Sequence, residues 1–182
     1  MHEELKWETL ERKTVLRDPW IQVEASRCRL PGGAEIFPFY VNRARDFAVV
    51  VAVTEDGMVL IEYQYRHGIE AVIPELPAGM IEKGEEPLAA ARRELLEETG
   101  YKAPEWEFLF KVAPNASSCT HMAWCYLAKG AAPAAAPQPE ATEALAVEQV
   151  PLRELRAMLA RGVFPQAVHV SALYRALDRL GA

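Results

Sequence analysis

The stretch GEEPLAAARRELLEETG, residues 84 to 100, limits what this chain can fold into more than any other. Pro87 has no N–H to lose in a first helical turn, and Gly100 suits a left-handed cap, so the segment predicts a helix from Pro87 to Thr99. Leu88, Ala91 and Leu95 fall at i, i+3 and i+7 and form an apolar stripe that must pack on a sheet. Glu94, Glu97 and Glu98 share a neighbouring stripe: at about 100° per residue, Glu97 and Glu98 lie roughly 60° and 40° to either side of Glu94. Acids therefore line the edge of a buried seam.

Before the helix the chain reads as strands. TVL, WIQVEASRCRL and AEIFPFYV are extended stretches separated by Asp18-Pro19 and Pro31-Gly32-Gly33, which predicts a small antiparallel sheet. AVVVAV (48 to 53) and MVLIEYQYR (58 to 66) form a hairpin, because Asp56-Gly57 supplies the positive φ of a tight turn. ELPAGMIEKGEE, 75 to 86, reads as a loop. Strands are expected at 107 to 112, 122 to 128 and 145 to 150, helices at 151 to 162 and 169 to 180, and a surface loop at the Ala/Pro-rich stretch 131 to 139. Strands mixed with a few helices, without strict βαβ alternation, predict an α/β fold in which helices cover a mixed sheet. The division expected is an N-terminal β extension, 1 to 43, and a main domain, 44 to 182.

Composition excludes several function classes. With 182 residues, 51% of them hydrophobic, the chain can bury a full core. A net charge of −6 argues against a general grip on nucleic acid or on acidic lipid, both of which need a basic face. Cys28, Cys119 and Cys125 contain no C-x-x-C and show no zinc-finger spacing with the four histidines, so the thiols read as reduced. The charged start MHEELKWETLERK and the lack of a long apolar run predict a cytoplasmic protein with no membrane span.

The acids carry the chemistry. Glu94 and Glu98 are like charges at i, i+4, a spacing that costs a few tenths of a kcal/mol and more when partly buried. A solvated face balanced by Arg92 and Arg93 is one explanation; a divalent cation that turns the repulsion into coordination is the other. Mg²⁺ and Mn²⁺ take oxygen ligands, and Mg²⁺ is commonly held by one or two carboxylates together with water and substrate phosphates.

From Gly79 to Tyr101 the chain resembles the Nudix box: a glycine, five residues, a glutamate, seven residues, then Arg-Glu-apolar-x-Glu-Glu-x-Gly-apolar. Gly79, Glu85, Arg93, Glu94, Leu95, Glu97, Glu98, Gly100 and Tyr101 fill the nine positions, with Tyr101 a mild departure from an aliphatic ending. The resemblance implies a Nudix-type α/β/α sandwich that uses Mg²⁺ or Mn²⁺ to hydrolyse a nucleoside diphosphate linked to another group. It implies Glu94, Glu97, Glu98 and the backbone carbonyl of Ala78 as metal ligands, with Arg93 and Glu85 orienting them. Gly79 fits a loop whose backbone comes against a metal.

The flanks are similar to the ADP-ribose pyrophosphatase branch of that family, through Gln64-Tyr65-Arg66 and Glu75-Leu76-Pro77-Ala78-Gly79. This implies ADP-ribose as substrate, cleaved to AMP and ribose 5-phosphate, and a homodimer formed through the N-terminal extension. Arg66 would contact the diphosphate, with Glu75 beside it, or else be a strand-end arginine paired with a surface acid. Trp20 or Tyr40 would stack on the base. One feature departs from the branch: VAPNASSCTHMAW carries no loop glutamate to activate water, and no acid lies between Pro114 and Pro139. His121, Glu140, Glu143 or a box glutamate would have to serve. Asn115, Ser117 and Ser118 offer hydrogen bonds there instead, so other nucleotide sugars such as ADP-glucose or GDP-mannose, and dinucleotides such as FAD or NADH, stay open as substrates. A catalytically silent nucleotide-binding regulator is the alternative from another class.

Overall fold

Asp56-Gly57 turns the chain where the sequence predicts: Gly57 has φ 78° and its N–H donates to the Thr54 carbonyl at 3.1 Å. The computed structural model describes residues 2 to 139 and 142 to 182, so Glu140 lies outside the described residues. These form two compact units, 1 to 45 with 113 to 121, and 46 to 112 with 122 to 182. The first unit therefore includes 113 to 121, which the sequence reading leaves with the main domain.

In the first unit, β1 (Glu8–Arg17), β2 (Gln22–Arg29) and β3 (Glu35–Asn42) form an antiparallel sheet in the order β1-β2-β3. Few of its side chains are buried: Ala25, Ser26 and Cys28 are, whereas Val15, Leu16, Ile36, Phe37 and Tyr40 are exposed.

In the second unit the strands are β4 (Phe47–Thr54), β5 (Met58–Arg66), β6 (Ala71–Glu75), β7 (Ala78–Met80), β8 (Tyr101–Lys102), β9 (Glu105–Val112), β10 (Ala123–Pro133) and β11 (Leu145–Pro151). Among the described residues they make one mixed sheet, β11-β5-β4-β10-β8, with β6 against β5, β7 against β4 and β9 against β10. β4 and β10 run parallel. α1 (Pro87–Thr99) covers one face; α2 (Leu152–Ala160) and α3 (Ala167–Leu180) cover the other. Strand alternation sorts the two cores. Ala48, Val50, Ala52 and Leu60 meet Ala90, Ala91 and Leu95 of α1, while Val49, Val51, Val53 and Ile61 meet Leu155, Leu159, Leu173 and Leu177 of α2 and α3. Leu95 is fully buried, worth roughly 1.5–3 kcal/mol relative to exposure. The main domain is thus an α/β/α sandwich.

Three predicted elements differ from the structure. The hairpin strands β4 and β5 are laddered only at Val53 and Val59, after which they splay. β5 then pairs with β6 and β4 with β7, and the Val50 N–H donates to the Pro77 carbonyl at 2.9 Å. Residues 75 to 80, predicted as loop, are therefore largely drawn into the sheet, because the splayed strands leave backbone donors and acceptors that need partners. The Ala/Pro-rich stretch likewise begins as strand: Ala132 and Pro133 extend β10 and pair with Lys102 and Tyr101 of β8. α1 keeps its predicted bounds, closed by Gly100 at φ 76°.

His169 ties the second face to this inserted segment. It is 2% exposed, and its Nδ1 accepts the buried Leu76 N–H at 3.1 Å. Burial holds its pKa down at about 4, from an ordinary 6.5, with the Arg66 charge also lowering it and Glu75 opposing. The ring is therefore neutral in the folded chain, whereas the unfolded chain binds a proton below pH 6.5. Stability from this group is fully present above pH 6.5 and is lost as pH falls towards 4, by roughly 3 kcal/mol over the window. Urea midpoints measured between pH 7 and pH 4.5 should fall more steeply for the natural protein than for His169→Gln; parallel slopes would refute the assignment.

Candidate active site

The acids of α1 gather around one guanidinium. Arg93 Nε and Nη2 grip both oxygens of Glu85, each at 3.0 Å, and Nη1 donates to Glu94 Oε1 at 2.7 Å and to Glu97 Oε2 at 3.2 Å. Nη2 also donates to the Met80 carbonyl at 3.1 Å, which uses all five N–H donors of the side chain. Arg93 and Glu97 are an i, i+4 pair, as the helix spacing suggests, and Arg93 also orients two further acids. Its hydrogen bonds hold the Glu85 carboxyl below the usual range, against slight burial.

Glu94 and Glu98 are 8% and 4% exposed. Burial raises the pKa of Glu94, with Arg93 opposing. Glu98 is raised further by burial and then by the charges of Glu62 and Glu94, against the Ala78 N–H that donates to its Oε2 at 2.9 Å. No cationic side chain pairs with Glu98 among the described residues. Gly79 is demanded by this packing, because a Cβ there would lie 2.1 Å from Glu94 Oε1. The close approach is to the helix carboxylate itself.

These groups fit a divalent cation. The donors are all oxygen, and a single guanidinium serves Glu85, Glu94 and Glu97 while Glu98 stays without a cationic partner. Among the described residues no three His, Cys, Asp or Glu side chains already converge as a complete ligand set. Arg93 takes up oxygens of Glu94 and Glu97, and the Ala78 N–H takes one of Glu98.

Beside Ala78 and Gly79 opens a cleft of about 500 Å³, within the range of small-ligand sites. Phe47, Ile69, Ile73 and Met80 give it apolar walls, and Arg66, Gln166 and His169 its polar ones. Arg66 donates from Nε to Glu75 Oε1 at 2.7 Å and from Nη2 to Oε2, and its side chain remains 43% exposed. The acid it pairs with is a buried one. Glu75, expected beside the substrate, is 2% exposed, and its oxygens accept from Arg66 and Gln166. It positions Arg66 and does not itself face the cleft.

Trp20, Asn115 and His121 belong to the first unit. Trp20 is 88% exposed in the turn after β1, where Asp18 Oδ1 accepts its N–H at 2.7 Å. Asn115 is exposed in a turn and accepts from Ser117 Oγ at 2.8 Å; His121 is half-buried at the unit's end. In the second unit, the charge of Glu143 reaches Glu62, Glu94 and Glu98. Sequence reasoning misses Glu62, Gln166 and His169. For Glu62 there is a usable signal, an acid directly after the apolar run MVLI, on the face that alternation assigns to Leu60.

Residues 42–172 match the NUDIX domain, and residues 7–42 match the nucleoside diphosphate sugar hydrolase N-terminal domain. The chain is 33% identical over 122 residues to the methanol dehydrogenase activator of Bacillus methanolicus, covering 67% of this chain and 65% of that protein, which is less than two thirds of the relative's length. It is 27% identical over 169 residues to the ADP-ribose pyrophosphatase of Mycobacterium tuberculosis, covering 92% of this chain and 81% of that one. A solved structure described as an ADP compounds hydrolase superposes with a TM-score of 0.84 at 26% identity, over 97% of this chain and 95% of the other. Because the NUDIX match runs over most of the chain and contains the whole cluster that Arg93 organises, the chain belongs to the Nudix family.

Proposed function

We propose that this protein hydrolyses the diphosphate linkage of a nucleoside diphosphate derivative, with ADP-ribose cleaved to AMP and ribose 5-phosphate as the first reading. One observation carries it: the carboxylates gathered by Arg93, with buried Glu94 among them, stand next to a cleft that holds the exposed edge of Arg66. The names of the Mycobacterium tuberculosis relative and of the superposed structure support an ADP-linked substrate. The match of residues 7–42 favours a second reading, a wider nucleotide-sugar range.

Glu94, Glu97, Glu98 and the Ala78 carbonyl would hold Mg²⁺ or Mn²⁺, which neutralises charge on the diphosphate and makes water more acidic. The rest falls to the chain. Arg93 keeps the acids apart and aimed, and the free edge of Arg66 suits a phosphate oxygen. The apolar walls of the cleft exclude water from the other side of the ligand. Incubation of ADP-ribose, ADP-glucose, GDP-mannose, FAD and NADH with Mg²⁺ or Mn²⁺, with products read by mass, should yield a nucleoside monophosphate from the preferred substrate. Glu98→Gln should lower kcat by about 10²-fold or more. Gly79→Ala should do likewise by displacing the Glu94 carboxylate, with a smaller effect on melting temperature. No turnover of any compound would favour a silent nucleotide-binding regulator.

Of the expected bases outside the box, Glu143 is the one whose charge is seen to reach Glu94 and Glu98, and it would accept the proton of the attacking water in place of the missing loop glutamate. Glu143→Gln should lower kcat by about 10²-fold or more while KM changes little. Wild-type turnover in that variant would remove the role, and His121→Ala under the same assay tests the other candidate.

The exposed apolar side chains of the three-stranded sheet support a homodimer built on that sheet. Sedimentation velocity should give twice the 20.3 kDa chain mass. A monomer at micromolar concentration would reject the dimer.

A further inference from the structure

We infer that Glu62 is part of the cation site, a carboxylate supplied by β5 that accepts hydrogen bonds from water in the hydration shell of a divalent cation held by the α1 acids. The inference rests on the proposed function and adds to it a residue outside the box.

The placement follows from strand geometry. Leu60 packs in the α1 core and Ile61 in the α2 and α3 core, so residue 62 returns to the α1 face, on which Glu94 and Glu98 lie. Neighbouring positions on that face of the sheet, Ala48, Val50 and Ala52, are all small and apolar. Packing alone would ask for the same at 62. Glu62 is instead 3% exposed, and its Oε1 is buried with no hydrogen-bond partner among the described residues. A carboxylate oxygen is costly to bury without a donor. The Arg66 charge reaches Glu62, yet the hydrogen bonds of its guanidinium go to Glu75. The missing donor is therefore expected to arrive with a ligand.

A hydrated cation supplies that donor. Mg²⁺ keeps several of its waters, and each water bound to a cation is a strengthened donor to a carboxylate beyond direct coordination distance. That role agrees with the absence, among the described residues, of three acids converged as a ready ligand set.

The test is a titration of Mn²⁺, followed by the electron paramagnetic resonance signal of the free ion, on the natural protein, Glu62→Gln, Glu62→Val and Glu98→Gln, with thermal melting of the metal-free forms alongside. Glu62→Gln should bind Mn²⁺ about tenfold or more weakly. Its metal-free melting temperature should rise, because a buried acid whose Oε1 lacks a donor is gone. Glu62→Val, which matches the apolar neighbours of that face, makes the same comparison if the glutamine variant fails to fold. Unchanged Mn²⁺ affinity in either variant, with Glu98→Gln impaired, overturns the role of Glu62 and leaves the metal reading of the box intact. A natural protein that takes up no Mn²⁺ overturns both.

Discussion

Carboxylates placed beside a buried seam repel one another and lose solvation together, and a rigid positive group among them offsets that cost. In this chain that group is the Arg93 guanidinium, whose planar fork reaches Glu85 twice and Glu94 and Glu97 once each. A lysine could not do the same, since its single ammonium has three donors and no fixed plane. The fifth donor, on the Met80 carbonyl, fastens the segment leading into α1 to the helix itself. The acidic edge and the backbone that faces it are thus one unit.

That unit depends on a sheet that opens. Because β4 and β5 part after Val53 and Val59, the chain from Glu75 to Met80 can enter between them and be held on both sides by backbone pairing. His169 holds the same segment through the Leu76 N–H, and Glu75 uses it to anchor Arg66. The two faces of the sandwich meet the site differently. α1 brings the acids, while the start of α3 brings a neutral imidazole and Gln166 to the cleft. A core change under α3 would therefore be felt at Arg66 and the cleft through the backbone of residues 75 to 78.

Charge is left over after these pairings. Arg93 and Arg66 are each committed to acids, yet Glu98 has only a backbone N–H and Glu62 has a buried oxygen with no donor among the described residues. An apolar sandwich has no packing reason to keep such groups. The proposed cation site would use both groups.

Local signals carried much of this in the linear sequence. Pro87, Gly100 and the i, i+3, i+7 stripe set the bounds and buried face of α1, because helix ends and amphipathicity depend on residues within one or two turns. The spacing of Glu94, Glu97 and Glu98 likewise put the acids on one edge before any fold was known, and Asp56-Gly57 marked its turn. Tertiary structure alone decided the rest: how far the hairpin stays paired, that 75 to 80 become largely strand, that Glu75 is buried under Arg66, and that an acid at 62 and a histidine at 169 converge on the same region. Those outcomes hang on partners 9 to 93 residues apart, and neither propensity nor period measures a contact across that distance.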